Sequence, residues 1–250
     1  MTQGDRRVVI VTGGSSGIGR ATAQRFAMDG AHVLITGRHA ETLEEAAAEH
    51  DGIAWLVADV ADPDDAIRTI ERATERWGRL DVLVNNAGAG SVLPLAEASP
   101  ERINAILAAN VVGPSLLASA ALPYLKATGG CIINVSSSFA QKAAGGIAHY
   151  AASKAALEHL TRCWALELSP NAVRVNAVAP GPTETGALTG MMGLTHEQAE
   201  DVKAREREQI PLGRRGTPEE VARWIVYLSD PSDGWVTGQV VSVDGGFTIT

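Results

Sequence analysis

The sequence predicts an α/β protein built on a doubly wound parallel sheet of about seven strands. Short apolar runs recur along the chain, and each is apolar at successive positions, as strands covered by helices on both faces require. The segments between these runs have helical patterns with recognisable starts. Because strand and helix alternate throughout the 250 residues, right-handed crossovers should wind them into one sheet.

The predicted strands, in chain order, are residues 8–12, 32–36, 53–58, 80–84, 131–136, 173–178 and 239–243. Helix starts are predicted at Asp62-Pro63, Ser99-Pro100 and Thr217-Pro218, each with a capping side chain before a proline. No linker or repeat divides the chain, so residues 1–250 are predicted to form one domain. Residues 182–216 follow the sixth strand and are rich in Gly, Met and charge, which is typical of either a substrate lid or an ordinary exposed excursion.

Composition favours a small molecule as the partner. The net charge of -8, without a clustered Lys/Arg run, argues against binding to nucleic acid or to an anionic membrane surface. No apolar run is long enough for a signal peptide or a membrane span, and we expect a cytoplasmic protein. Cys131 and Cys163 should be reduced, and the six His residues form no ligand-like cluster, so we predict no catalytic metal.

A glycine-rich turn joins the first strand to the first helix. It reads TGGSSGIG from Thr12 to Gly19, with glycines at 13, 17 and 19. Such a turn presents free backbone N–H groups and the positive end of a helix dipole, where a pyrophosphate can bind without obstruction by a Cβ. The sequence therefore predicts a dinucleotide site, and a tight turn without a ligand is the alternative.

The second strand ends at Thr36-Gly37-Arg38, which bears on the choice of dinucleotide. An acid here would bind the adenosine ribose hydroxyls, whereas Gly followed by Arg leaves room and charge for a 2′-phosphate. NADP(H) is therefore favoured, with NAD(H) as the alternative. Arg38 would otherwise be a solvated surface cation, and Ser15 and Ser16 add no second basic residue to the glycine loop.

Tyr150 and Lys154 stand four apart in a helical pattern, so both project from one helix face. A phenol is a poor acid at neutral pH, and a nearby ammonium would lower its pKa by stabilising the phenolate. Tyr150 could then exchange a proton with a carbonyl or alcohol oxygen while hydride moves to or from a nicotinamide.

These motifs together resemble the short-chain dehydrogenase/reductase family over nearly the whole chain. In family order they are Thr12-Gly13-x-x-x-Gly17-x-Gly19, Asp59, Asn85-Asn86-Ala87-Gly88, Asn110, Ser137, Tyr150-x-x-x-Lys154 and Pro180-Gly181. The resemblance implies a Rossmann-type sheet with strand order 3-2-1-4-5-6-7. Its loops are most similar to the 3-oxoacyl carrier-protein reductase branch.

The resemblance also implies a catalytic centre of Asn110, Ser137, Tyr150 and Lys154. Ser137 should bind the substrate oxygen, with Ser136 and Ser138 as alternatives if the register slips by one. Lys154 should hold the nicotinamide ribose, and Asn110 should anchor a water that relays protons. From residues alone, Asn110 would be a helix residue without an evident partner.

The cofactor residues that the loop and the resemblance imply are Gly13, Ser15, Ser16, Gly17, Ile18, Gly19, Arg38, Asp59, Val60, Asn86, Ala87, Gly88, Tyr150, Lys154, Pro180, Gly181, Thr183 and Thr185. Asp59 resembles the residue that binds the adenine amino group, and a helix-entry turn is its alternative role. Thr183 stands where the family commonly has an apolar residue, and its backbone N–H can still meet the carboxamide.

The resemblance implies an NADP(H)-dependent ketone reductase or secondary-alcohol dehydrogenase that forms a homotetramer, or a homodimer. The alternatives are an oxidative NAD-dependent alcohol dehydrogenase and a non-catalytic dinucleotide sensor or scaffold on the same fold. The substrate pocket should draw on residues 91–95, 138–146 and the lid. Met191 and Met192 would either contact an apolar substrate or fill the core of the loop.

Overall fold

Seven parallel strands form one sheet in the order β3-β2-β1-β4-β5-β6-β7, which confirms the expected topology. They are β1 (Val8–Thr12), β2 (His32–Gly37), β3 (Ile53–Val57), β4 (Val82–Asn85), β5 (Cys131–Val135), β6 (Arg174–Pro180) and β7 (Val240–Val243). Each begins and ends within 2 residues of its predicted bounds. The computed structural model describes residues 6–250 except the side chain of Asp233, so the predicted domain's residues 1–5 lie outside it.

Two hydrophobic cores lie on opposite faces of the sheet, because side chains alternate along each strand. Val9 and Val11 of β1 belong to one core, and Val8 and Ile10 belong to the other. All of these side chains are buried. Burying each such side chain contributes about 1.5–3 kcal/mol, which explains why strands apolar on both faces occupy the centre.

Nine helices flank the sheet in the described residues: α1 (Gly17–Met28), α2 (Ala40–Ala48), α3 (Pro63–Trp77), α4 (Pro100–Leu107), α5 (Gly113–Thr128), α6 (Ala148–Leu168), α7 (Ala187–Gly190), α8 (His196–Gln209) and α9 (Pro218–Ser229). The predicted helix starts are confirmed. The Asp62 carboxylate accepts the Asp64 N–H at 2.9 Å, and Glu220 accepts the Thr217 N–H at 2.9 Å in a capping box.

The stretch Pro100–Thr128 is long and apolar enough to cross a membrane, judged by length and composition alone. It joins α4, a π-helical turn (Ala108–Val112) and α5 over 29 residues, and an 18-residue window within it has a mean hydropathy of 1.8. The prediction that no apolar run is long enough for a membrane span did not take this stretch into account. Leu117, Ala121 and Leu125 on this stretch are buried in the core beneath the sheet. Core helices of α/β proteins meet the same criterion, so the stretch is explained by packing against the sheet.

The excursion of residues 182–216 lies at the carboxyl edge of the sheet and contains α7 and α8. Its two ends are joined by a parallel bridge between Thr183 and Gly216. The excursion therefore leaves the sheet and returns to it at one place, beside the carboxyl end of β6.

Candidate active site

The carboxyl ends of the strands open onto a cavity of about 690 Å³. Every predicted site residue except Asn110 lines it: Gly13, Ser15, Ser16, Gly17, Ile18, Gly19, Arg38, Asp59, Val60, Asn86, Ala87, Gly88, Ser137, Tyr150, Lys154, Pro180, Gly181, Thr183 and Thr185. Parallel strands bring these residues together because their carboxyl ends all meet at one edge of the sheet. The residues predicted to be catalytic or to bind the cofactor, apart from Asn110, therefore share one cavity.

The glycine loop fits a dinucleotide because its glycines allow close approach of the backbone. Gly13 (φ +64°) and Gly17 (φ +52°) occupy the left-handed region, which favours glycine. A Cβ on Gly19 would collide with the Gly13 carbonyl oxygen, and one on Gly17 would lie 3.1 Å from Thr185 Cγ2. The loop thus faces the 180–185 segment across a space that side chains would fill.

Thr12 and Asn86 hold the glycine loop in place. The Asn86 Nδ2 amide donates to the carbonyls of Thr12 at 2.8 Å and Gly13 at 3.2 Å. Thr12 Oγ1 accepts the backbone N–H groups of Asn86 and Ala87, both at 3.0 Å. The side chain of Asn86 therefore shapes the loop while its backbone lines the cavity. Asn85 is structural, since its Nδ2 donates to Asn134 Oδ1 at 2.9 Å.

Arg38 and Asp59 line the cavity just beyond the carboxyl ends of β2 and β3. Arg38 is exposed, and it forms no ion pair with any residue between 6 and 250. Asp59 Oδ1 accepts the Ala61 N–H at 2.9 Å, and its own N–H donates to Asp65 Oδ2 at 2.7 Å. Asp59 therefore forms the turn before α3 and also lines the cavity, so both of its expected roles are compatible with the geometry.

Tyr150 and Lys154 lie on the buried face of α6, where their side chains point towards the end of β5. Tyr150 is 8% exposed and Lys154 is 4% exposed. The Lys154 ammonium donates to the Val135 carbonyl at 2.9 Å and lies 6.0 Å from the centre of the Tyr150 ring. The Ser137 side chain is close enough to the Tyr150 hydroxyl to favour the ionised form of the phenol.

Burial governs the pKa values of both groups. It raises the pKa of Tyr150, and the interaction with the Ser137 side chain offsets only part of this rise. Burial also lowers the pKa of Lys154 from 10.5 to about 8. The expectation that Lys154 lowers the Tyr150 pKa is therefore corrected for this structure, because loss of water around the phenolate outweighs a cation 6.0 Å from the ring centre.

The structure distinguishes among the three serines after β5. Ser136 Oγ donates to Glu158 Oε1 at 3.0 Å, and Ser138 Oγ is buried without a hydrogen bond to any described residue. Of the three serines, Ser137 is the one whose side chain influences the pKa of the Tyr150 hydroxyl. The geometry therefore favours Ser137 over its neighbours as the group next to the reacting oxygen.

Asn110 lies in the π-helical turn and is fully buried. Its Nδ2 donates to the Ala89 carbonyl at 2.7 Å and to Ser153 Oγ at 2.9 Å, and its Oδ1 accepts the Ala89 N–H at 2.8 Å. A Cβ on Gly88 would lie 2.9 Å from Asn110 Oδ1 and 3.2 Å from Lys154 Nζ. Asn110 and Lys154 therefore both lie next to Gly88. Through Ala89 and Ser153, Asn110 also links the loop that follows β4 to α6.

Met192 and Tyr150 both lie next to Gly90. A Cβ on Gly90 would lie 3.0 Å from Met192 Cε and 3.1 Å from Tyr150 Cδ2, so the methionine and the phenol ring flank the same glycine. The pair Met191 and Met192 lines the cavity. This position favours substrate contact over core filling for Met192, the two roles that the sequence left open. Arg215 and Glu206 also line the cavity, and sequence reasoning did not single them out.

Comparison with known proteins identifies the family. A family model described as enoyl-(acyl carrier protein) reductase matches residues 13–248. The chain belongs to the short-chain dehydrogenase/reductase family. It is 38% identical to a 3-oxoacyl-(acyl-carrier-protein) reductase of Thermotoga maritima, covering 97% of this chain and 98% of the relative. It is 42% identical to a putative ketoacyl reductase of the granaticin polyketide synthase of Streptomyces violaceoruber, with 96% and 95% covered.

A solved structure of the same family has the same fold. The 3-ketoacyl-(acyl-carrier-protein) reductase of Brucella melitensis, crystallised with NADH, is 32% identical and has a TM-score of 0.90 over 97% of this chain and 98% of its own. The protein is thus an oxidoreductase of the short-chain dehydrogenase/reductase family.

Proposed function

We propose that the protein transfers hydride between NADP(H) and a ketone or secondary alcohol, with Tyr150 as the acid/base. One observation carries the proposal: the buried Tyr150 and its neighbour Ser137 line the same cavity as the glycine loop. An acid/base group must lie within hydrogen-bond reach of the reacting oxygen, and only a shared cavity brings a bound dinucleotide there as well.

Each residue has a distinct role in this proposal. A bound nicotinamide supplies or accepts the hydride. The N–H groups of the glycine loop bind the pyrophosphate at the start of α1. In ketone reduction, the Tyr150 O–H donates its proton to the carbonyl oxygen while Ser137 hydrogen-bonds that oxygen. The Lys154 ammonium holds the ribose hydroxyls of the dinucleotide.

The substrate is proposed to be a ketone of at least partly apolar character. Met192 presents a polarizable apolar side chain directly beside Tyr150, and thioether side chains adapt to irregular substrates. The excursion of residues 182–216, which carries Met192, acts in this proposal as the substrate lid.

Coenzyme oxidation by the purified protein tests the proposal. NADPH and NADH are offered with β-ketoacyl thioesters, cyclic ketones and diketones, and we expect NADPH consumption on at least one of them. Turnover only with NAD and an alcohol would favour the oxidative dehydrogenase. Dinucleotide binding without turnover on any ketone or alcohol would favour a sensor or scaffold.

Replacing Arg38 with Asp should reverse the coenzyme preference. The guanidinium is exposed at the cavity and has no ion pair within the described range 6–250, so it is available to a 2′-phosphate. Losing a charge-assisted hydrogen bond and adding a negative charge should weaken NADPH binding about tenfold or more. The added carboxylate should strengthen NADH binding by accepting the ribose hydroxyls.

Fluorescence titration of both coenzymes measures this effect. Arg72→Asp makes the same charge change on an exposed position of α3 that does not line the cavity, and it should alter neither affinity. Equal losses for NADPH and NADH in Arg38→Asp would remove Arg38 from 2′-phosphate recognition.

We propose a homotetramer in the cytoplasm, with a homodimer as the alternative assembly. Trp224 and Tyr227 of α9 form an exposed edge-to-face pair at 5.8 Å, and Trp235 near β7 is 99% exposed. Exposed aromatic residues in one region are typical of protein interfaces. Light scattering should give the mass of four 26.1 kDa chains. A mass of two chains would indicate the homodimer, and a mass of one would exclude both assemblies.

A further inference from the structure

Arg215 is a buried cation at the wall of the cavity. Its side chain is only 3% exposed, although it follows the exposed Arg214 directly. The guanidinium forms ion pairs with Glu206 of α8 and, at 3.1 Å, with Glu184, and its Nη2 donates to the Thr183 carbonyl at 2.6 Å. One side chain thus joins the lid helix to the segment that leaves β6.

These contacts fix the orientation of the peptide groups around Thr183. The Gly216 N–H donates to the Pro182 carbonyl at 2.9 Å, and the Gly216 carbonyl accepts from the Glu184 N–H at 2.8 Å. The Arg215 guanidinium donates to the Thr183 carbonyl. In a planar trans peptide the C=O and N–H point in opposite directions. The Pro182 carbonyl and the Thr183 N–H belong to one peptide group, and this carbonyl faces Gly216. The Thr183 N–H is therefore directed away from Gly216.

The same cation fastens α8. Glu206 lies in the last turn of this mostly exposed helix, and Glu184 also pairs with Lys203 at 3.7 Å and Arg207 at 3.5 Å from α8. Removing one partner of a buried ion pair leaves an uncompensated buried charge, so the Arg215–Glu206 pair resists separation. The helix α8 therefore moves with the segment around Thr183.

The remainder of the lid is held differently. The backbone N–H groups of Gly190, Met191, Met192 and Leu194 bond only to carbonyls of residues 186–188 within the same turn of chain. The described contacts thus divide the lid into an anchored helix α8 and a locally bonded part that carries Met192.

We propose that Arg215 is a positioning residue that couples the lid helix α8 to the Thr183 amide, and thereby to binding of the nicotinamide end of the dinucleotide. This inference rests on the proposed function. Arginine suits the position because its planar guanidinium contacts two carboxylates and one backbone carbonyl at once. A lysine ammonium is a point charge on a flexible side chain and lacks this planar arrangement of donors.

The test compares a dinucleotide with the same molecule lacking nicotinamide. Dissociation constants are measured for NADPH and for 2′-phospho-ADP-ribose, or for NADH and ADP-ribose if the wild type prefers NADH. Arg215→Met should raise the dissociation constant of the dinucleotide about tenfold, which is the equivalent of about one hydrogen bond. The dissociation constant of the fragment should change by less than about twofold. Arg214→Met, which removes the adjacent exposed arginine paired with Glu220, should change neither constant.

Equal weakening of dinucleotide and fragment would show a general structural role and overturn the proposal. If Arg215→Met fails to fold, Arg215→Lys takes its place, because it retains the positive charge without the planar guanidinium. It should weaken binding of the dinucleotide by a smaller factor and again leave binding of the fragment unchanged.

Amide hydrogen exchange provides a readout that needs no ligand. In the folded Arg215 variants, the Glu184 N–H and the α8 amides should exchange faster than in wild type, while those of α9 stay unchanged. Unchanged exchange at these sites would also overturn the coupling. A wild type that binds neither dinucleotide nor fragment would instead contradict the proposed function, and the exchange data would still test the link between Arg215 and α8.

Discussion

Replacing Tyr150 with Phe should lower turnover by about a hundred- to ten-thousand-fold, because this removes the only hydroxyl proposed to exchange the proton. The ring remains, so the packing against Lys154 and Gly90 is retained. Dinucleotide affinity should therefore stay within about twofold, since phenol loss removes no pyrophosphate contact. Steady-state kinetics and fluorescence titration of the same preparation measure the two effects.

Tyr227→Phe is the matched control, because it removes an exposed hydroxyl on α9. It should leave both turnover and affinity unchanged. Turnover retained by Tyr150→Phe would exclude this residue as the acid/base. A joint loss of turnover and binding would instead indicate that the hydroxyl supports the cavity itself.

The Tyr150 pKa also predicts how each reaction direction responds to pH. Burial raises this pKa, so the hydroxyl stays protonated at neutral pH and is ready to donate to a ketone. The rate of ketone reduction should stay constant through neutral pH and fall once the phenol ionises. The rate of alcohol oxidation should rise with pH, because this direction needs the phenolate as base.

Replacing Lys154 with Met should abolish most turnover and yet stabilise the folded protein at pH 7. Burial lowers the Lys154 pKa to about 8, so the unfolded chain binds more protons than the folded one between about pH 8 and pH 10.5. The charged lysine therefore costs stability below pH 8, and this cost shrinks as the pH rises. We expect a gain of about 1–3 kcal/mol at pH 7 after loss of the hydrogen bond to the Val135 carbonyl.

Urea unfolding at pH 7 and pH 10 measures this gain, which should be smaller at the higher pH. Lys126→Met, at an exposed position on α5, is the control and should change stability little at either pH. A loss of stability at pH 7 in Lys154→Met would show that the contacts of the ammonium outweigh the cost of burying it.

Local patterns in the sequence determined the strands, the helix starts, the glycine loop and the pair Tyr150 and Lys154. A continuous apolar run is sufficient to indicate a buried parallel strand, and the four-residue spacing of Tyr150 and Lys154 places them on one helix face. The strand order followed from the family resemblance, since periodicity alone does not specify which strands are neighbours. Ser137, Asn110 and most of the other candidate site residues followed from the same resemblance.

Only the tertiary structure decided which polar groups are partners and how burial changes them. Ser137 differs from Ser136 and Ser138 through its influence on the Tyr150 pKa, and Asn110 finds its partners 21 and 43 residues away. The buried Arg215 and the exposed Arg214 are identical in type and adjacent in sequence. How deeply a group is buried, and which charges surround it, depends on neighbours that are distant in the chain. The fold alone therefore determines the Tyr150 pKa and the partners of Arg215.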